Sequence, residues 1–288
     1  MTALSGPVLI TGASSGIGLA TAIAAARAGL SVVGTARDPD RAQALRAAAA
    51  ESGGRLEVRR LDVVDPDSIE ACVAGVVAHH GGIGALVNNA GVAGNNPSLE
   101  QSDLAHLRST MEVNFFGVLA VSRAALPHLR ASRGRLITIS SVRGVIGQPF
   151  NEGYSAAKFA VEGYMEALAP VAAQVGVTVC LIEPAAVLDT EFVNSSTDPD
   201  IPELLASAGP YEPAFRAYRG WVQTEAIKGA QLAHDVAEVV VRTLTEPRPA
   251  FRIQTSGYGR DYVARKLTDP SGAEIQAMTR SWVSSSST

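Results

Sequence analysis

The sequence predicts an α/β protein built on a doubly wound, Rossmann-type parallel sheet. Short apolar runs alternate with Ala-rich helical stretches through residues 7–183, and most of these runs are apolar at successive positions rather than at alternate ones. Continuous apolar strands separated by helices are what a parallel sheet covered on both faces requires. The length of 288 residues and the 47% apolar content are enough for one large core. We therefore expect a single domain over residues 1–288.

The predicted strands follow one another in order along the chain. They are P-V-L-I-T, S-V-V-G-T, L-E-V-R-R-L, A-L-V-N-N, R-L-I-T-I-S and V-T-V-C-L-I-E. Helical stretches follow the first three strands, from about Ile17, over 41–50 and over 67–79. Ligands of such sheets bind beyond the carboxyl ends of the strands. Because Gly12, Asn88 and Ser141 fall at strand ends, the motifs around them should meet in one crevice.

The alternation stops near residue 188, where a proline-punctuated segment begins. We expect an inserted substrate lid over residues 188–228 and a C-terminal tail over 256–288, with a disordered Ser-rich end. Within the lid, apolar and aromatic side chains recur at helical spacing, at positions 211, 215, 218 and 222. Such a face either covers an apolar substrate or packs against the protein's own core, and the pattern leaves both interpretations open.

Composition excludes several classes of partner. The formal charge is -4 and the basic residues are scattered, so the sequence shows no footprint for nucleic acid or an anionic membrane. No apolar run approaches the roughly 18 residues that span a bilayer, and no Lys or Arg precedes Arg27, so we expect neither an anchor nor a signal peptide. Cys72 and Cys180 fall in apolar patterns typical of inert core thiols. These features favour a cytoplasmic protein that acts on small molecules.

The first chemical motif is the turn T-G-A-S-S-G-I-G after the first strand. Glycines there permit a tight turn and close approach of a pyrophosphate, and the free N–H groups and dipole of the following helix attract the anion. A glycine triplet alone also fits an ordinary strand-to-helix turn, but the strand before it and the helix after it favour a dinucleotide site. The predicted phosphate contacts are Gly12, Ser14, Ser15, Gly16, Ile17 and Gly18.

The end of the second strand indicates which dinucleotide is bound. An acidic residue there would accept the ribose hydroxyls of NAD, whereas a cation would pair with a 2'-phosphate. The chain has Ala36 followed by Arg37, whose guanidinium can fork onto a phosphate, so we predict NADP(H) over NAD(H). The alternative is a solvated Arg37 beside Asp38. Asp62 and its neighbour Val63 are candidate adenine contacts, although Asp62 equally suits a helix cap or turn.

The second chemical motif is Y-S-A-A-K, with Tyr154 and Lys158 one helical turn apart. Residues i and i+4 share a helix face, so the Lys158 ammonium can lie near the Tyr154 phenol and favour its ionised form. Tyr154 would then exchange a proton with a carbonyl or alcohol oxygen, and Ser141, at a strand end, would hydrogen-bond that oxygen. Since a lone Y-x-x-x-K also occurs on solvated helix faces, it is the combination with the glycine turn that predicts a nicotinamide-dependent oxidoreductase.

These pieces together make the chain resemble the classical short-chain dehydrogenase/reductase family. The matching motifs are T-G-A-S-S-G-I-G at 11–18, N-N-A-G at 88–91, M-E-V-N-F-F-G around Asn114, S-S at 140–141 and Y-S-A-A-K at 154–158. They occur in the family's order, and the resemblance covers about residues 5–190. It implies a catalytic tetrad of Asn114, Ser141, Tyr154 and Lys158.

The resemblance also implies roles that the residues alone do not reveal. Asn114 would hold a water that relays protons to Lys158, and Lys158 would bind the nicotinamide ribose. The family's cofactor border would fall on Asn89, Ala90 and Gly91. A homodimer or homotetramer is the implied assembly.

Two stretches, P-F-N-E-G-Y-S-A-A-K-F-A-V-E-G and L-I-E-P-A-A-V, look closer to the branch that acts on 17β-hydroxysteroids and retinol. A small, fairly apolar carbonyl or alcohol substrate is implied. The chain departs from the family's P-G-x-V-x-T pattern: Ala185 replaces glycine, and Thr190 comes one residue late, with Asp189 in the usual threonine position. Thr190 remains the candidate contact to the cofactor's carboxamide. The loops that would select a substrate, 142–153 and 188–228, carry no readable code.

Other functions are weighed against this one. A catalytically silent NADPH-binding sensor or scaffold is opposed by the intact tetrad, and an epimerase or dehydratase would turn over without net use of cofactor. The five histidines show no metal-ligand spacing, so we predict no metal site. Ser141 has no G-x-S-x-G around it, which argues against a hydrolase.

Overall fold

A computed structural model describes residues 4–93, 99–190 and 205–284 of the chain. Within them seven parallel strands form one sheet in the order β3-β2-β1-β4-β5-β6-β7. The strands are β1 (Val8–Ile10), β2 (Val32–Ala36), β3 (Leu56–Arg60), β4 (Ala85–Asn88), β5 (Arg135–Ile139), β6 (Thr178–Glu183) and β7 (Arg252–Gln254). The doubly wound parallel sheet is therefore confirmed, and its order reverses between β1 and β4.

Helices connect and cover the strands. They are α1 (Gly16–Arg27), α2 (Gln43–Glu51), α3 (Pro66–His80), α4 (Leu104–Met111), α5 (Gly117–Ser132), α6 (Glu152–Ala173), α7 (Glu212–Thr224), α8 (Ala233–Thr245), α9 (Gly257–Thr268) and α10 (Ala273–Val283). One π-helical turn, Glu112–Phe116, joins α4 to α5. None of the described helices is both long and apolar enough to cross a bilayer.

The helix ends follow local capping chemistry. Asp65 accepts hydrogen bonds from the main-chain N–H groups of Asp67 and Ser68 and so begins α3, with Pro66 in the first position. Gly81, at φ 79°, ends the same helix in the left-handed conformation that glycine adopts without strain. The helix predicted over 67–79 is thus confirmed, one residue longer at each end.

The core lies on both faces of the sheet. In β1 the side chains of Val8 and Ile10 enter the layer beneath α1 and α8, whereas Leu9 enters the layer beneath α3, α5 and α6. All three side chains are fully buried. Burial on both faces explains why the strands show continuous apolar runs. Cys72 and Cys180 lie in this core, where burial raises the pKa of each thiol to about 11.

A third apolar cluster joins the loop after β5 to the C-terminal helices. It contains Val142, Ile146, Phe150, Phe215, Tyr218, Tyr262 and Trp282. The indole rings of Trp221 and Trp282 stack with centroids 3.9 Å apart. Of the two interpretations of the aromatic face, core packing holds for Phe215 and Tyr218, whereas residue 211 is 39% exposed.

The expected lid and tail are only partly visible. Residues 191–204 of the lid and 285–288 of the tail lie outside the described residues. The described part of the tail contains α9 and α10. The strand β7 was not predicted, because its three residues lie at the sheet edge, are only partly buried and form no continuous apolar run.

Candidate active site

The glycine turn between β1 and α1 has a geometry that only glycine allows. Gly12 and Gly16 have φ values of +64° and +55°, in the left-handed region. A Cβ at Gly12 would lie 2.8 Å from Ala90 Cα, and a Cβ at Gly18 would overlap the Gly12 carbonyl oxygen. Because α1 begins at Gly16, its first N–H groups have no partner within the helix, an arrangement that favours an anion at this end.

The N-N-A-G segment braces this turn from the side of β4. Asn89 Nδ2 donates to the carbonyl oxygens of Thr11 at 3.0 Å and Gly12 at 2.9 Å. The hydroxyl of Thr11 accepts hydrogen bonds from the main-chain N–H groups of Asn89 and Ala90, each at 3.0 Å. The predicted phosphate turn and the predicted cofactor border therefore meet at the reversal of strand order. Ser14, in the turn, is exposed, and Ser15 precedes α1 in extended conformation.

Asn114 lies in the π-helical turn and is fully buried. Its Oδ1 accepts from Val92 N and its Nδ2 donates to Val92 O, both at 2.9 Å. A Cβ at Gly91 would lie 3.0 Å from Asn114 Oδ1. The side-chain amide thus ties the π-helical turn to the loop after β4, and the predicted water relay stays a prediction.

Ser141, Tyr154 and Lys158 come together beyond the ends of β5 and β6. The hydroxyl groups of Ser141 and Tyr154 form a hydrogen bond, and Lys158 Nζ lies 5.6 Å from the centroid of the Tyr154 ring. Lys158 Nζ also donates to Ile139 O at 2.8 Å. All three side chains are at least nine-tenths buried, with relative exposures of 8%, 6% and 5%. The trio can present a hydroxyl pair to one substrate oxygen, with an ammonium group behind it.

The pKa of Tyr154 is raised, although Lys158 was expected to favour the ionised phenol. Burial raises the pKa of Tyr154, and the Arg143 guanidinium and the hydrogen bond with Ser141 offset this rise only in part. Burial also lowers the pKa of Lys158 to about 8, while the charge of Glu162 opposes that decrease. Desolvation therefore favours the neutral form of both groups, although a lysine with a pKa of about 8 is still mostly charged at neutral pH.

Arg143 was missed by the sequence analysis, although it lies in the loop 142–153. Its Cζ is 5.8 Å from the centroid of the Tyr154 ring. Its Nη1 donates to Asn151 Oδ1 at 3.0 Å, and Asn151 Nδ2 donates to the Tyr218 hydroxyl at 2.9 Å. The guanidinium is thus fixed by a neutral amide and adds a second positive charge beside Tyr154. No motif marks such a residue, because only the fold brings it to the tyrosine.

Comparison with known proteins assigns the chain to a family. Residues 7–200 match the family model described as short chain dehydrogenase. The chain belongs to the short-chain dehydrogenase family. It is 36% identical to retinol dehydrogenase 8 of Bos taurus, over 92% of this chain and 86% of that protein. It is also 36% identical to estradiol 17-beta-dehydrogenase 1 of Rattus norvegicus, over 95% and 80% respectively. These similarities place it in the steroid and retinol branch.

Solved structures agree with this assignment. A short-chain dehydrogenase from Streptomyces avermitilis superimposes with a TM-score of 0.75 at 29% identity, covering 96% of this chain and 98% of that one. A metagenomic short-chain oxidoreductase in complex with NADP gives a TM-score of 0.67 at 29% identity, covering 87% and 97%. The chain is therefore an oxidoreductase of this family.

In this short-chain dehydrogenase the residues predicted to contact the adenosine half are spread along the carboxyl edge of the sheet. Arg37 follows β2, is exposed, and makes no ion pair within the described residues. Asp38 instead pairs with Arg41 at 3.4 Å. Asp62 Oδ1 accepts from Val64 N at 3.2 Å, so the turn role is observed and the adenine contact stays a prediction. Val63 is buried and packs in the core.

The late threonine of this short-chain dehydrogenase lies against the glycine turn. A Cβ at Gly16 would lie 3.2 Å from Thr190 Cγ2, and Thr190 Oγ1 donates to Val187 O at 2.9 Å. The preceding Asp189 accepts from Ala233 N at 2.7 Å, where α8 begins. Asp189 thus supports a helix start, Thr190 lies beside Gly16, and the contact of Thr190 with the carboxamide stays a prediction.

One group of potential metal ligands lies on the edge strand β3 and at the end of α3. The ligand atoms of Glu57, His79 and His80 lie within 4.8 Å of one another. Glu57 is bound by the Arg59 guanidinium and lies 2.8 Å from His80 Nε2. Arg59 and His80 thus both contact Glu57, and the absence of a metal site stays a prediction.

Proposed function

We propose that this short-chain dehydrogenase interconverts a ketone or aldehyde and an alcohol with NADP(H), using Tyr154 as the general acid and base. The observation that carries the proposal is the convergence of Ser141, Tyr154 and Lys158 at one buried point. That point lies at the same edge of the sheet as the glycine turn. Hydrogen bonds from Asn89 tie the loop after β4 to this turn. An oxygen bound by both hydroxyls would be reached from the crevice that begins at Gly12.

The residues present fit a nicotinamide dinucleotide. The glycine turn and the start of α1 would hold the pyrophosphate, where any larger side chain would overlap the main chain. Lys158 would hold the nicotinamide ribose, and Asn89, Ala90 and Gly91 would border the cofactor. Thr190, beside Gly16, is the proposed contact to the carboxamide.

Arg37 supports NADP(H) as the cofactor. Its guanidinium is exposed at the end of β2 and makes no ion pair within the described ranges, so it is free to fork onto a 2'-phosphate. The similar metagenomic oxidoreductase was solved in complex with NADP. Asp62 and Val63 are the proposed neighbours of the adenine.

Tyr154 and its neighbours would handle the proton while the bound cofactor supplies or accepts the hydride. In reduction the Tyr154 hydroxyl donates its proton to the substrate oxygen, and Ser141 hydrogen-bonds that oxygen. In oxidation the Tyr154 phenolate accepts the alcohol proton. The charges of Lys158 and Arg143 stabilise the phenolate, and Asn114 is the proposed holder of a water that returns protons to Lys158.

Two further parts of the proposal concern the substrate and the assembly. The retinol and estradiol enzymes among the relatives support a fairly apolar substrate. We propose that the whole chain works as one domain and forms a homodimer or homotetramer. Exposed apolar side chains on α6, Tyr164 at 47% and Val171 at 65%, are suitable for such a contact.

The test is NADPH consumption by the purified protein across aliphatic, aromatic, steroid and retinoid carbonyls, with Tyr154→Phe as the variant. We expect turnover by the wild type and at least a ~1,000-fold loss in the variant, because the proton donor is removed while the binding residues remain. Binding of NADPH, measured by fluorescence titration, should stay within about threefold. Substantial turnover by Tyr154→Phe would contradict the role of the tyrosine, and tight NADPH binding without any turnover by the wild type would favour a sensor.

Cofactor choice is tested by Arg37→Asp. The variant should bind NADPH at least ~10-fold more weakly, because a carboxylate repels the 2'-phosphate that the guanidinium would pair with. Binding of NADH should be unchanged or improved. Equal effects on both cofactors, measured by fluorescence titration, would contradict the assignment of NADP(H).

A further inference from the structure

Two buried carboxylates lie next to the active site without a role in the proposed reaction. Glu162 follows Lys158 by four residues on α6 and is 4% exposed, and Glu183 ends β6 and is 0% exposed. The nearest cation on β7 is Arg252, whose Nε lies 3.0 Å from Glu162 Oε2 and 3.5 Å from Glu183 Oε1. A buried carboxylate requires a cation or hydrogen bonds. One guanidinium therefore serves both buried acids and also the exposed Glu166, which leaves negative charge beside α6.

The Lys158 ammonium lies at the same end of the sheet as Glu183. Its Nζ donates to Ile139 O, and Ile139 pairs in register with Ile182, the residue before Glu183. Glu162 shares the helix face of Lys158, since residues four apart are neighbours on a helix. Glu162 thus neighbours Lys158 along α6, and Glu183 is linked to Glu162 through the shared Arg252.

The space between these groups is polar and incompletely hydrogen-bonded. Within the described part of the chain, Glu162 Oε1, Glu183 Oε1 and Ser140 Oγ are buried without a hydrogen-bond partner. A Cβ at Gly144 would lie 2.9 Å from Glu162 Cγ, 2.8 Å from Ser140 Oγ and 3.2 Å from Lys158 O. The glycine keeps these polar groups close together. Carboxylate oxygens held in this way interact with a nearby positive charge across little intervening water.

We propose that Glu162, supported by Glu183, is a positioning residue that keeps the Lys158 ammonium charged and in place for proton transfer with Tyr154. The proposal rests on the function proposed above. Burial alone favours neutral lysine, and a carboxylate one turn away opposes that effect. The charge of Glu162 raises the pKa of Lys158, whereas burial lowers it, and the resulting pKa is about 8.

Glu183 makes this support depend on pH. Burial and the neighbouring charge of Glu162 raise the pKa of Glu183 to about 7, against the lowering effects of Gln254 and Arg252. Glu183 therefore gains its negative charge only as the pH rises through about 7. The remaining charged neighbour is Glu166, which lies 2.9 Å from Arg252 Nη2 and is exposed to solvent. The negative charge thus increases in the pH range where Lys158 would lose its proton.

The experiment uses the small number of lysines. The chain contains three, Lys158, Lys228 and Lys266, so NMR of the protein labelled with 13C at lysine Cε can follow each ammonium without any substrate. The variants are Glu162→Gln and Glu183→Gln. The matched control is Glu166→Gln, on the same helix and paired with the same arginine but exposed.

We expect the wild-type Lys158 signal to titrate with a midpoint near pH 8. Glu162→Gln should lower that midpoint by about one pH unit, and Glu183→Gln should lower it by less, because an attractive charge is removed. Glu166→Gln should leave it unchanged. If turnover is found, the alkaline limb of its pH profile should move in parallel with the midpoint.

An unchanged midpoint in a folded Glu162→Gln variant would overturn the proposal and leave the pair a purely structural bridge between α6, β6 and β7. Thermal unfolding checks that each variant is folded. If Glu162→Gln does not fold, an unchanged midpoint in Glu183→Gln overturns the proposal instead. Absence of carbonyl turnover by the wild type would refute the proposed function, whereas the lysine titration decides the role of the carboxylates in either case.

Discussion

At the scale of single residues, the balance between burial and charge decides whether Tyr154 can exchange a proton. Burial raises its pKa, and Arg143 is the first of the groups that lower it. The guanidinium lies 5.8 Å from the ring and is held by Asn151 rather than by an acid. Arg143 is therefore available to stabilise the phenolate, in addition to Lys158, for which the sequence predicts that role.

Replacing Arg143 tests this role. Arg143→Leu should raise the pKa of Tyr154, so that alcohol oxidation, which needs the phenolate, falls by about tenfold at neutral pH and recovers at higher pH. Arg143→Lys keeps a positive charge and should stay closer to the wild type. The measurement is the pH profile of kcat for oxidation. Superimposable profiles for the wild type and Arg143→Leu would show that the guanidinium does not act on the tyrosine.

At the scale of elements, the connection from β1 to α1 requires glycine at three nearby positions. Gly12 and Gly16 need positive φ, and Gly18 needs the absence of a side chain because the Gly12 carbonyl and the Asn89 amide occupy that space. The turn is thus assembled against the loop after β4, and its shape depends on both segments.

Gly18→Ala tests the turn. The added methyl group forces the Gly12 carbonyl and Asn89 to move, so the dissociation constant for NADPH should rise more than ~10-fold, about 1.4 kcal/mol. Gly163→Ala is the control, because a Cβ at that exposed position of α6 meets nothing within 4 Å. It should leave cofactor binding unchanged and add helix stability. Normal NADPH affinity in Gly18→Ala would contradict the proposed phosphate cradle.

At the scale of the whole molecule, the buried end of β6 links stability to pH. The pKa of Glu183 is about 7 in the folded protein and about 4.5 when solvated, so it is raised on folding. Its contribution to stability is therefore complete below about pH 4.5 and is lost as the pH rises through 7, because ionisation in the core is costly. Arg252 and Gln254 reduce that cost without removing it.

The free energy of unfolding should accordingly fall between pH 5.5 and pH 8 by more in the wild type than in Glu183→Gln. The expected difference is on the order of 2 kcal/mol, measured by urea denaturation at the two pH values. Glu166→Gln, at an exposed site beside the same arginine, should retain the wild-type pH dependence. Identical pH dependence in the wild type and Glu183→Gln would show that Glu183 is ionised in the fold already at pH 5.5.

Local patterns in the sequence determined the parallel sheet, six of its seven strands and the family. Continuous apolar runs reveal strands because burial on both faces acts on every successive residue. The glycine turn and Y-S-A-A-K are equally readable, since a main-chain conformation or a helical turn places their residues within one short segment. The same local rules placed α3 within one residue at each end.

Only the tertiary structure decided which distant side chains meet. Arg143 reaches Tyr154 from a loop, Glu183 meets Glu162 and Arg252 across two strands and a helix, and Phe215 packs into the core rather than over a substrate. Thr190 is placed against the glycine turn while Asp189 supports a helix start. These contacts join residues far apart in the chain, and their energies depend on burial and charge at the meeting point, which local periodicity does not encode.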